Sequence, residues 1–255
     1  MLKKLSALTI ASLTFASYVQ ADAAGIEIGA YQWTPDYSGF VAVDDGTQMG
    51  TELDLEDDLG FSDDDHNVIW ASLEHPVPFL PNFKIVSSDL DSSATNVLSR
   101  DISFAGQTFT VNESVDVQID LSNIEYTLYY EILDNWINID AGVTFRQYDG
   151  IVTLKTDPAG SNISENEILD FTIPLIYLKG RVDLPLTGFF IDGEVNVIGF
   201  GDDSLADTAF SVGYESDFGL GGKAGYRTFS MDVDESEFVS DLEFSGAYVS
   251  VFFHF

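Results

Sequence analysis

Apolar and polar residues alternate through most of this chain. In INIDAGVTFRQY, Ile137, Ile139, Ala141, Val143 and Phe145 share one face, while Asn138, Asp140, Gly142, Thr144 and Arg146 share the other. FFIDGEVNVIGF repeats the pattern, with Ile191, Val195 and Val197 set against Asp192, Glu194 and Asn196. NIEYTLYYEI places Ile124, Tyr126, Leu128 and Tyr130 opposite Glu125, Thr127, Tyr129 and Glu131. No stretch of comparable length follows the helical period, so the chain reads as all-β. The alternation predicts ten strands, at 26–34, 68–75, 83–91, 116–132, 137–149, 167–183, 189–199, 206–214, 219–231 and 242–255, with eight or twelve as the alternatives.

The predicted connections alternate in length. PVPFLPN, LDN, LPLTG and ESDF are short and built from turn residues, whereas the intervening ones are longer on average, led by 35–67 and 92–115. An even strand count with short turns at one end and longer loops at the other predicts a transmembrane, antiparallel, up-and-down β-barrel of the outer-membrane kind. Alternation alone also suits a soluble barrel or sandwich, whose apolar face turns inward. Three features favour the membrane. Several strands reach ten or more residues, aromatics such as Phe171, Tyr177, Phe189, Tyr214 and Tyr226 recur, and the last strand carries one unbroken apolar face of Ala247, Val249, Val251, Phe253 and Phe255. In that strand Phe252 and His254 are expected to point inward, and the aromatic ending resembles the signal that assembly machinery reads in outer-membrane proteins.

The first residues bring in export. Lys3 and Lys4 precede an uncharged, mildly apolar stretch from Leu5 to Val19, and Ala21-Asp22-Ala23 has the small residues of a cleavage site. Residues 1–23 are therefore expected to be a signal peptide and 24–255 a single barrel domain; the alternative, an uncleaved anchor, suffers from Ser and Thr in a short centre. Beyond it no run of eighteen apolar residues offers a membrane helix. Cysteine is absent, so disulfides do not hold the fold.

Charge narrows the partners. The chain has 10 basic and 43 acidic residues; without Lys3, Lys4 and Asp22 these become 8 and 42, a formal charge of −34. So acidic a surface repels phosphates and argues against nucleic-acid binding. Cations are the natural partners.

Four stretches together carry a family resemblance: LDLEDDLGF at 53–61, LEHPVPFLPNFKI at 73–85, GLGGKAGYRTFSMDVD at 219–234 and the terminal GAYVSVFFHF. The chain resembles a family of Gram-negative outer-membrane β-barrel proteins named for a paired-glycine motif, whose members have no assigned activity. The resemblance implies an outer-membrane barrel and supplies no substrate. Physically, Pro76, Pro78 and Pro81 suit a rigid turn where strand pairing has ended. Gly221, Gly222 and Gly225 remove bulk from one strand, permitting curvature or the close approach of an aromatic ring.

The polar faces collect Glu27, Glu74, Glu125, Glu131, Asp140, Asp170, Asp192, Glu194 and Glu215, with Arg146, Lys223 and Arg227 as basic partners. In a small barrel these side chains are expected to fill the lumen as paired charges, since unpaired charge there is costly. A narrow cation-preferring channel is the alternative, because the acids outnumber the bases.

The first outward loop is the most acidic segment, with eleven acids and no Lys or Arg between 35 and 67. Asp54, Glu56, Asp58 and Asp65 have the offsets of an oxygen-rich calcium loop, but the required Gly arrives one place late at Gly60. The calcium reading stands against a plainly solvated acidic face. Leu53 and Leu55 alternate with the acids, which suits either a strand or a segment folded over the lumen. Catalysis needs a base, and only His66, His75 and His254 are available. His75 lies at a turn and His254 near the end, leaving His66, which follows Asp63–Asp65 near the expected outer rim, as the one candidate for an outer-membrane hydrolase.

These observations predict an integral outer-membrane barrel, monomeric, with no catalytic residues and no cofactor apart from the calcium alternative. Its expected partners are outer-membrane lipid, lipopolysaccharide and the barrel assembly machinery. Its expected role is structural or surface-binding in the cell envelope, with a mostly filled lumen.

Overall fold

A computed structural model describes residues 24–43, 50–77, 79–156, 163–234 and 238–255. The expected signal peptide, 1–23, lies outside them, as does Pro78 of the proline-rich turn. In chain order the described residues form β1 (Gly25–Val43), β2 (Leu53–Asp54), β3 (His66–Glu74), β4 (Asn82–Asp89), β5 (Asp91–Val97), β6 (Ile102–Phe104), β7 (Gln107–Phe109), β8 (Ser114–Asp120), β9 (Asn123–Leu133), β10 (Ile137–Thr156), β11 (Ser164–Asp183), β12 (Phe189–Phe200), β13 (Asp203–Glu215), β14 (Leu220–Asp234) and β15 (Phe238–His254).

Ten of these close an antiparallel barrel in the order β1-β3-β4-β9-β10-β11-β12-β13-β14-β15. β15 returns to β1 in register from Glu27↔His254 to Val43↔Phe238. Every wall strand thus has two neighbours, and closure removes the exposed edge that would otherwise recruit another chain. The remaining strands lie at the long-loop end. There β5 and β8 form a hairpin that joins the wall through β8 and β10, β6 pairs with β7, and β2 pairs with β1.

The predicted strands are all present, but several run further toward the long loops. β1 extends to Val43 rather than ending at 34, because its ladder with β15 continues without interruption. The strand expected at 116–132 is two strands, broken at Leu121 and Ser122. The break arises because β8 leaves the β4–β9 ladder to pair with β5, and Leu121 donates its N–H to the Leu90 carbonyl there. At the opposite end the turns are short, and His75 organises the first: it accepts from the Val77 amide and bonds the Pro81 carbonyl through Nε2.

Alternation assigns the two faces. On β9 and β10, Ile124, Leu128, Val143 and Phe145 stand exposed on the outside, while Glu125, Thr127, Thr144 and Arg146 are buried inside. β15 does the same, with Val249 and Val251 exposed at 65% and 64% and Tyr248, Ser250 and Phe252 buried. The apolar face of the strands therefore points out of the barrel, the reverse of a soluble barrel.

Two of the recurring aromatics lie on the inward face: Tyr177 is fully buried, and Phe171, though 37% exposed, has its ring 5.0 Å from that of buried Tyr148. On β11 the outward residues are Ile176 and Leu178, so the inward set is Leu175, Tyr177, Lys179 and Arg181. The same parity corrects Asp170, which the sequence places in the lumen: it is exposed on the outer side, opposite Asp149 of β10.

Candidate functional site in the lumen

From the short-turn end upward, the interior is built in layers. The mouth is a polar cavity of about 270 Å³, lined by acids including Glu27, Glu74, Glu131 and Asp140. At its rim Arg181 pairs with Glu215 and Asp183, each at 2.8 Å, and His254 reaches Glu215 at 3.2 Å. Above it, Lys84 binds Glu194 at 2.6 Å and Lys223 binds Asp192 at 2.7 Å, around a cavity of about 90 Å³. Ser211 also donates to Asp192.

The next layer is a network of buried charges with the partly buried Tyr31. Arg227 grips Asp207 with two nitrogens at 2.9 and 2.6 Å and gives a third bond to the Tyr31 hydroxyl at 2.8 Å. Arg146, only 1% exposed, binds both Asp207 at 2.6 Å and Glu125 at 2.8 Å. Two guanidinium groups share one carboxylate, an arrangement that neutralises buried charge only while all members are present. Both also lie over aromatic faces: Arg227 is 4.6 Å from the Trp33 ring and Arg146 is 5.8 Å from Phe229. The 90 Å³ cavity reaches this network from below, where Tyr31, Glu125, Asp207 and Arg227 line it.

Toward the long loops the interior turns apolar. Trp33, Tyr37, Phe229, Phe244 and Tyr148 pack above the arginines. Leu53, Leu55, Leu59 and Phe61 from the acidic loop complete this core together with Leu98, Ile102, Phe104 and Phe109 from the β5–β8 excursion. Both sequence alternatives for 53–61 hold in part, since β2 is a short strand and the segment folds over the lumen.

The glycine-rich segment has the structural use expected of it. A side chain at Gly221 would collide with the Phe252 ring, and one at Gly225 would press on Ser211 and Tyr248; Gly222 leaves more room, with the Ser250 carbonyl its nearest neighbour. The same device recurs at Gly213 beneath Phe190 and at Gly29 beneath Trp70. The three rings gather inside the barrel, Phe252 lying 5.9 Å from Phe190 and 6.5 Å from Trp70, with Arg181 stacked 3.9 Å from Phe190.

The calcium-loop candidates are engaged by the protein. Asp54 accepts from the amides of Glu56 and Asp57 at 3.0 and 2.8 Å, forming a turn. Asp58 is paired with Arg100 at 2.6 Å, and that hydrogen bond holds its carboxyl below the ordinary carboxylate range. Asp65 accepts from Thr34 at 2.6 Å and Gln32 at 3.2 Å on β1, while Glu56 stays exposed. Among the described residues no group of three or more His, Asp or Glu is arranged to hold a metal ion.

His66 sits beneath the cap, buried, rather than at a rim. Its Nδ1–H donates to the Asp89 carbonyl at 3.1 Å, which leaves Nε2 to accept from the Tyr37 hydroxyl at 2.5 Å. Ser92 completes the cluster, 2.6 Å from the Tyr37 oxygen. The adjoining void is about 10 Å³, the size of a single water.

Sequence reasoning finds Arg146, Lys223 and Arg227 but misses Lys84, Lys179 and Arg181. The signal is present in IYLKGR, where Lys179 and Arg181 alternate with outward Leu178. With them, six of the eight basic residues beyond position 23 lie inside the barrel.

Neither a protein-family model nor a curated protein sequence matches the chain. Among solved structures, the outer membrane protease OmpT from Escherichia coli aligns with a TM-score of 0.55 at 10% identity, over 91% of this chain and 97% of that one. The toluene transporter TbuX of Ralstonia pickettii (TM-score 0.35, 10% identity, 91% and 63% covered) and the P. putida toluene transporter TodX (0.31, 12%, 92% and 91%) also align, at TM-scores that carry no argument. The likeness to OmpT is one of fold, and it sets this closed antiparallel wall in the architecture of an outer-membrane β-barrel.

Proposed function

We propose that the chain is an integral outer-membrane β-barrel with a closed lumen, its short turns toward the periplasm, that serves at the cell surface as a structural or binding protein. The observation that carries this reading is the inversion of the two faces. A band of apolar side chains from Ile69 through Leu128, Phe145, Ile176 and Phe210 to Val251 is exposed around the outside, while Arg146, Asp207 and Arg227 are buried within. Hydrocarbon around the barrel rewards that band, and water penalises it.

Two stacked closures support a filled lumen over a channel: the arginine layer and the apolar cap above it. The ion pairs serve specificity of packing more than stability, because desolvation offsets much of their attraction. Assembly machinery and outer-leaflet lipid are the partners this placement requires. The test is conductance of the refolded, full-length barrel in planar bilayers. No steady current is expected, and a steady cation-selective current would overturn the closed-lumen reading.

A further inference from the structure

The wall is incompletely paired beside β11. β11 bonds β12 only from Ile176↔Val197 to Asp183↔Phe190, although β11 continues to Ser164 while still paired with β10. Two residues beyond the last β12 pair stands Pro174, which has no N–H to contribute to a ladder. β12 itself ends at Phe200, three residues past its last pair, so β11 from Ser164 to Leu175 has no strand partner on this side among the described residues, and a seam opens there beside the β12–β13 turn.

Behind the seam lies a cavity of about 320 Å³ with an almost wholly apolar lining. One wall is Leu169 and Ile173 of β11; the others include Ile198 of β12, Leu205 of β13, Met231 of β14 and Leu242 of β15. Its size reaches the range of ligand pockets, and apolar cavities of about half that size already stay dry and take up hydrocarbon guests. The seam starts level with Phe145↔Pro174, where the exposed apolar band on β10 gives way to Gln147 and Asp149. It therefore meets the upper edge of that band.

We infer that this cavity binds a hydrocarbon chain, entering through the β11–β12 seam. Asp203 and Asp232 at the cavity's edge select against a carboxylate or phosphate head and for an uncharged or cationic one. The chain has two sources, an acyl chain of a membrane lipid or a free hydrophobic molecule. The inference rests on the membrane-barrel reading above for its access route.

The test uses the full chain in nanodiscs with Tyr148→Trp as reporter, read against the unaltered protein with its three tryptophans. Tyr148 is buried and lines the cavity. With ordinary lipids, added 1-bromododecane should quench the reporter saturably if the chain is a free molecule; lipids brominated near the acyl terminus should quench it without additive if the chain is a lipid's. Filling the cavity with Ile173→Phe and Val233→Phe should raise the half-quenching concentration, or the required fraction of brominated lipid, by about tenfold, the effect of losing one well-packed contact region. Absence of quenching by both probes, or quenching unaffected by filling, overturns the inference. Should Tyr148→Trp fail to fold, the unaltered chain in a lipid-free steroid detergent, where no acyl chain competes, must show a thermal midpoint that rises with 1-bromododecane, and a flat midpoint there overturns the inference equally. A conducting lumen would leave these outcomes unchanged, so the two readings fail separately.

Discussion

The two halves of the barrel interior are made by the same strands and the same parity, yet they are opposite in character. Along β10 the inward residues pass from Asp140 and Arg146 to Tyr148, Val152 and Leu154; along β12, from Asp192 and Glu194 to Ile198; along β14, from Lys223 and Arg227 to Phe229 and Met231. In the charged half β11 and β12 stay paired from Ile176 to Asp183, and each guanidinium finds a carboxylate. In the apolar half the wall opens at the β11–β12 seam and loops close the top. The contrast has a physical basis. Buried charge demands directional partners held by a rigid wall, whereas apolar contacts are non-directional and can be supplied by any segment that covers them.

The sharpest way to break this comparison is Asp207→Ala. It leaves Arg146 and Arg227 buried without their shared carboxylate, and urea titration of the refolded barrel should show a loss of about 3–5 kcal/mol. A loss under about 1 kcal/mol would mean the arginine layer is wetter than its burial implies. In the apolar half, Leu55→Ala removes a fully buried side chain from a cap that loops supply. The expected cost is about 2–3 kcal/mol, toward the lower end for such truncations because a loop can collapse into the space, with faster trypsin cleavage after Arg100. Unchanged cleavage would show that the cap does not depend on this core.

The smallest effect is expected at the surface of the cap. Arg100→Ala should cost about 0–1 kcal/mol, since the Arg100 side chain is half exposed. Because Arg100 lowers the Asp58 pKa, that contribution is present above the unfolded carboxyl's value, about 3.9, and fades as pH falls through the folded value. Unfolding measured at neutral pH should therefore separate the unaltered chain from the Arg100→Ala variant, and unfolding near pH 2 should not. Equal differences at both would assign Arg100 a purely packing role.

Much of the wall is legible in the chain, because strand alternation is local. Each residue's face follows from its neighbours two places away, and the pattern misleads where polar and apolar residues do not separate cleanly. Tyr177 and Phe171 carry no face in the sequence alone, because aromatics suit both a lipid interface and an inner stack; pairing with β10 assigns them inward. Asp170 misleads for the complementary reason, a charge placed on the outer face beyond the apolar band. The candidate site is less legible. His66 looks like a rim histidine beside three acids, but the burial of Tyr37 and Ser92 around it depends on residues far along the chain.

By itself the sequence determined the all-β class, the number of wall strands, their up-and-down order and the outward apolar face of β15, all consequences of period-two patterning and short turn chemistry. Only the tertiary structure decided which charges meet, that the acidic loop supplies four apolar residues to the cap, and that β11 parts from β12. Lys84 and Glu194 are 110 residues apart, and Trp33 donates to a carbonyl 213 residues away. Such contacts are set by barrel closure and strand stagger, which are properties of the whole ring of strands and are written in no single stretch of it.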